Sequence, residues 1–184
     1  MQLSVATSST GFKDMHPGPI TWNVYLAYSD VVADDGPAEV FDRLVRAQIL
    51  LWNGVDDRLR KEHDLPLTWF ELMRVVARLD QARVRDIAEA LIITEGGASK
   101  LADRVQAAGY LSRQQHPADG RSSQVVLTPA GREILRAAAA TLDDELSDRI
   151  GAVLTSDVLA RFNAILELLR VSNLSSDETR SADQ

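Results

Sequence analysis

The chain has 184 residues, 45% of them hydrophobic and 26% charged, with a net charge of −7; this is the composition of a globular chain long enough to bury a core. No apolar run approaches the ~20 residues that span a bilayer, and no basic segment followed by an apolar one marks a leader. Cysteine is absent, which excludes disulfides, thiolate metal sites and thiol redox sensing and points to the cytoplasm.

The acid lies mainly at the two ends, whereas residues 41–136 carry 15 basic and 13 acidic side chains. Residues 1–37 read as an arm. Ser, Thr, Gly and Pro dominate to Pro19, and Ile20, Trp22, Val24, Tyr25, Leu26 and Tyr28 then form an apolar patch, with an extra helix over 20–32 as one option. Asp34-Asp35-Gly36-Pro37 breaks the chain. From Ala38 to His63, Phe41, Leu44, Val45, Ile49, Trp52, Val55 and Leu59 recur at three- and four-residue steps, the period of a helix, and Leu65-Pro66 stops it. Thr68-Trp69-Phe70-Glu71 has the form of a capping box, Thr at the N-cap and Glu at N3, opening a helix to about Leu79. Arg83-Val84-Arg85 reads as a short strand and Asp86 to Ile92 as a short helix. Thr94 caps the next helix, which ends at Gly109 in the C′ position; Ala98, Leu101, Val105 and Ala108 share its inner face. Tyr110–Gln115 and Ser123–Leu127 read as two strands around a turn with Asp-Gly near its tip. Thr128-Pro129 starts a helix to about Val153, and Ser156-Asp157 opens a last one, beyond which a polar tail is expected to fray from 173 to 184.

The pair 86–92 and 94–108, joined by a tight connection, forms a helix-turn-helix, whose second helix lies in the major groove of duplex DNA. The following hairpin takes the place of a wing. At this point several segments resemble the MarR family of regulators: Ile87-Ala88-Glu89-Ala90-Leu91; Leu101 to Leu111; Arg113; Asp119-Gly120-Arg121; and Leu127-Thr128-Pro129-Ala130-Gly131. The resemblance covers about residues 40–170. It implies a mainly α fold with a small β-wing: a dimerisation helix over 38–64, a winged helix-turn-helix over 65–128 and C-terminal dimerisation helices over 129–172. It also implies a homodimer on a pseudo-palindromic operator, acting as a transcription regulator of repressor type, with release by a small aromatic or anionic ligand.

Within that frame, Lys100 and Arg104 lie one turn apart on one helical face, where either can meet a phosphate or a guanine edge; solvated surface charge is the plainer alternative. Thr94 and Ser99 add hydroxyls, and Gly96 and Gly97 allow close backbone approach. Arg121 suits a narrow minor groove. The resemblance implies that Asp119 orients it, although an aspartate in a turn also bonds its own backbone. Arg113 fits an ion pair or a phosphate contact better than base reading. Trp52, His63, Trp69 and Phe70 fall in the segments where the resemblance puts a ligand pocket, against the alternatives of core packing and, for His63, a helix-end partner.

No H-E-x-x-H, histidine cluster, phosphate loop or G-x-S-x-G elbow occurs, so no metal, cofactor or catalysis is expected. Asp56-Asp57 and Asp143-Asp144 read as solvated helix faces. The alternative function is a winged-helix module that binds protein and not DNA, a reading the net charge favours.

Overall fold

The computed structural model describes residues 36–79, 82–116 and 119–182, with side chains except at 115–122 and beyond 174. The arm up to 35, with the helix expected at 20–32, lies outside the described residues. The elements run α1 (Pro37–His63), α2 (Leu67–Arg78), α3 (Val84–Leu91), α4 (Glu95–Ala107), β1 (Leu111–His116), β2 (Asp119–Leu127), α5 (Pro129–Leu146), a π-helical turn (Ser147–Gly151) and α6 (Ser156–Ala182). This is the mainly α architecture with a small β-wing that the sequence predicts.

Helix α1 opens with Pro37 in its first turn, carries Glu39 there and ends on Arg60, Lys61 and His63, in keeping with its dipole. It closes on Asp64 at φ 51°, whose N–H bonds back to Arg60 and Leu59. Leu65 then drops fully into the core. The capping box expected at Thr68 does not form. Pro66 occupies the N-cap and the helix begins at Leu67. The free N–H of Leu67 is taken by Asp56 Oδ1 of α1 at 2.7 Å. Asp56, read from sequence as a solvated face, therefore ties the second helix to the first.

The strand expected at 83–85 does not form: Val84 and Arg85 are helical, and the one bridge falls just before them. Ala82 bridges Val125 of β2, its carbonyl accepting the Val125 N–H at 2.8 Å. Asp86 accepts the Arg83 N–H at 3.1 Å, which starts α3 at Val84 instead of Asp86. The wing strands pair antiparallel from Leu111↔Leu127 to Gln115↔Ser123, with a register shift before His116. Helix α6 continues to Ala182, where fraying from 173 is expected from composition; the polar tail is helical.

The core is gathered under the wing and the helix-turn-helix. Leu59, Leu65, Phe70, Leu72, Met73, Ile87, Ala98, Val105 and Val125 are each 2% exposed or less. Burying each larger apolar side chain contributes ~1.5–3 kcal/mol. Ala102 takes the inward place expected of Ala108, which is exposed.

Candidate nucleic-acid interface

Helix α3 ends on Ile92 in the left-handed conformation, and α4 begins three residues later. Thr94 Oγ1 accepts the Gly97 N–H at 3.1 Å, so this hydroxyl is engaged as a cap. Ala98, Ala102 and Val105 are buried and fix the rotation of α4. The opposite face carries Gly96, Lys100 and Arg104, all exposed, with Ser99 half-buried beside them. Neither Lys100 nor Arg104 meets a carboxylate among the described residues.

The far end of α4 is held to the wing and to α5 by a polar clamp. Gly109 takes φ 84°. Its carbonyl accepts the Thr128 hydroxyl at 2.7 Å, and the same oxygen of Thr128 accepts the Gly131 N–H at 3.0 Å. A Cβ at Gly131 would overlap the Tyr110 carbonyl. The Leu127-Thr128-Pro129-Ala130-Gly131 segment is thus a joint: its glycine lets α5 press on the chain leaving the recognition helix. Arg113 donates to Asp103 at 2.6 Å, tying β1 to α4. That geometry favours the ion pair over the phosphate contact for Arg113. Asp119 and Arg121 have their backbone on β2; their side chains lie outside the described residues.

Arg78, Arg83 and Arg85 were not among the residues singled out from sequence. Arg78 is exposed at the end of α2 and Arg83 and Arg85 at the entry to α3, and none meets a carboxylate among the described residues. The signal lies in the arginines at 78, 83 and 85, the last two of which fall in the stretch expected as a short strand. The arginines of α1 and α6 behave otherwise. Arg43 pairs with Glu39 at 3.1 Å, Arg46 with Asp42 at 2.7 Å, Arg161 with Asp157 at 2.9 Å and Arg170 with Glu167 at 2.7 Å. Between α1 and α5, Glu145 accepts from both Arg149 and Arg58, which together hold its carboxyl below the usual range. Glu62 is lowered likewise by Arg58 and by the Thr141 hydroxyl.

The four residues considered for a ligand do not form one lining. Phe70 is 1% exposed in the core, which removes it from any open site. Trp69 packs against that core. His63 Nε2 meets Thr141 Oγ1 at 2.8 Å, and Trp52 lies on the open face of α1. A cavity of about 550 Å³ lies elsewhere, between α2, β2 and α5. Val76, Leu79, Val125, Leu127 and Leu135 give it apolar walls, and Arg132 and Arg136 stand at its edge. Arg132 donates to the Leu127 carbonyl at 2.7 Å, while Arg136 meets no carboxylate among the described residues.

Two short helices at a tight turn, a following two-stranded wing and a bridging residue before them define a winged helix-turn-helix domain. The family model described as MarR family matches residues 63–122. The HTH-type transcriptional regulator YkoM of Bacillus subtilis (strain 168) is 29% identical over 75 residues. That alignment covers 41% of this chain and 49% of the relative, so the chain matches about half of its length. Among solved structures, the MarR family regulator Sco3205 of Streptomyces coelicolor, in complex with DNA, superposes with a TM-score of 0.68 at 22% identity. It covers 76% of this chain and 89% of its own. AbsC, a MarR family regulator from the same organism, gives 0.70 at 18% identity over 78% of this chain and 98% of its own. These likenesses extend the shared fold well beyond the matched domain.

Among the described residues no helix is long and apolar enough to cross a membrane, and no group of metal-ligating side chains gathers.

Proposed function

We propose that the protein is a sequence-specific DNA-binding transcription regulator that acts as a homodimer and represses by occupying a pseudo-palindromic operator. The observation that carries this reading is the contrast in cation pairing. Lys100, Arg104, Arg78, Arg83 and Arg85 stand exposed without carboxylate partners among the described residues, and all lie on or beside the helix-turn-helix. Phosphates supply the missing counter-charge.

In this reading α4 enters the major groove, with Lys100 and Arg104 reaching guanine edges or phosphates and Ser99 adding a hydroxyl. The N–H at Gly96 faces the backbone of the duplex, that of Gly97 being taken by Thr94 Oγ1. Arg121, oriented by Asp119, enters the adjacent minor groove. Arg78, Arg83 and Arg85 fix register through phosphates, since the first helix of such a unit crosses the backbone.

The dimer is supported by apolar surface that a lone protomer leaves open. Phe41 of α1 is 67% exposed in a stripe with Leu44, Val45 and Ile49, and Leu168 of α6 is 67% exposed beside Ile165 and Val171. Stripes of this kind mark association surfaces. The cavity edged by Arg132 and Arg136 supports a ligand with an apolar body and one anionic group. It touches α2, the wing and α5 together, so occupancy there would bias the placement of the reading head. Nothing in this reading assigns catalysis to the chain.

The test is fluorescence anisotropy of a labelled duplex covering the region upstream of the protein's own gene, with sedimentation on the same sample. A dimer binding this duplex more than ~1,000-fold tighter than an unrelated one is expected. Equal affinity for both duplexes would reduce the protein to a nonspecific binder, and no binding at low salt would remove DNA from its function.

A further inference from the structure

The turn that joins α3 to α4 departs from the preferences of its own fold at three adjoining places. Ile92 holds φ 55° and ψ 47° and is 75% exposed. A β-branched side chain is strained there, where glycine or asparagine sits easily, and its burial gives nothing back. Gly96 and Gly97 lie in the first turn of α4, away from positive φ. A side chain at 96 would meet nothing within 4 Å, and one at 97 only Thr94 Oγ1 at 3.2 Å. At 96 neither space nor conformation requires a glycine, at 97 a side chain would ask only a few tenths of an ångström of the capping hydroxyl, and each glycine weakens the helix relative to alanine. Between them stands Glu95, exposed and without a basic partner among the described residues. Residues that run against the local rules in this way mark a contact with something outside the chain.

We propose that Glu95 is a specificity-determining residue whose carboxylate accepts a hydrogen bond from the amino group of a cytosine in the major groove. Gly96 and Gly97 are kept small so that the leading end of α4 comes close enough for that bond. The proposal rests on the DNA-binding reading given above. Phosphates repel a carboxylate at the front of a recognition helix, so Glu95 weakens binding to every sequence unless a base edge returns the loss. Cytosine presents only an amino donor in the major groove, which suits an acceptor-only group. Adenine sets an acceptor beside its amino group and suits an amide instead. The plain alternative is an acid that stabilises the N-terminus of its helix through the dipole; that role acts on stability and is blind to base sequence.

The two are separated by selecting duplexes from a randomised pool with the full-length protein and measuring affinities for the winners. The wild type is expected to enrich a cytosine at one fixed position of each half-site. Glu95→Gln is expected to move that position to adenine, leave the others unchanged, and bind the wild-type duplex roughly 10- to 100-fold more weakly. If Glu95→Gln and Glu95→Ala keep the wild-type base preferences and bind as tightly or more tightly, the proposal is overturned. A wild-type protein that enriches no duplex at all overturns the DNA-binding reading itself.

Discussion

The scaffold helices and the reading head treat charge in opposite ways. On α1 every arginine closes on a nearby carboxylate: Arg43 on Glu39, Arg46 on Asp42, Arg58 on Glu62 and Glu145, Arg60 on Asp56. The uncovered side of this helix and of α6 is apolar. On the head, Lys100, Arg104, Arg78, Arg83 and Arg85 are left open, and the apolar residues are mostly inside, Ile92 and Ile93 at the turn excepted. A surface meant for a second copy of the chain neutralises its charges locally and exposes hydrocarbon. A surface meant for a polyanion keeps its cations unsatisfied. Net charge describes neither, which is why −7 for the whole chain is compatible with DNA binding.

Substitutions should therefore divide by region. The largest effect is expected on the scaffold. Phe162→Glu on α6 places a charge in the apolar stripe and should convert dimer to monomer in sedimentation, with operator affinity falling by more than ~100-fold because two linked heads become one. A dimer of unchanged affinity would break the comparison. Next, Lys100→Ala with Arg104→Ala should weaken operator binding by roughly 10- to 100-fold while the protein remains a dimer. Arg83→Ala with Arg85→Ala should weaken all duplexes alike and lower the salt slope by about 1–2; a change in base preference would assign these two to reading, not positioning.

Smaller effects fall on stability. Gly131→Ala forces a methyl group against the Tyr110 carbonyl and should destabilise by ~1–3 kcal/mol, seen as a lower midpoint in thermal melts. Acid should loosen the α1–α5 junction. Glu145 and Glu62 titrate below their ordinary value of 4.5 in the folded state. Their contribution is complete above that value and is lost as pH falls through the folded one. Melting temperature should hold steady down to about pH 5 and then drop, and Glu145→Gln should flatten the drop. The least effect is expected from Gly96→Ala, which should raise the melting temperature by ~2–4 °C while weakening DNA binding. Opposite signs for stability and function would sharpen the distinction between residues kept by the fold and residues kept by its partner.

Much of this was readable in the sequence because it is local. Thr94 and Thr128 cap their helices through the third N–H that follows, Gly109 supplies a left-handed turn, and the periodic apolar residues fix which side of α4 faces inward. What escaped depends on residues distant in the chain. The start of α2 is set by Asp56, eleven positions earlier, and no scan of Thr68–Glu71 reveals it. Arg113 is claimed by Asp103 across the strand–helix junction. Trp69 and Phe70 are neighbours in sequence, and only tertiary packing decides that Phe70 is core while Trp69 stays partly open. The strand expected at 83–85 fails because the bridge falls at Ala82 and a helix cap follows one residue later, the two looking alike in composition.

The central claim is that two copies of α4 lie in successive major grooves of one duplex. Hydroxyl-radical footprinting of the full-length dimer on its upstream region tests it most directly. The account predicts two protected patches per strand about 10 base pairs apart, or a multiple of that, on one face of the duplex. A single patch, or uniform protection with no helical phase, would contradict it.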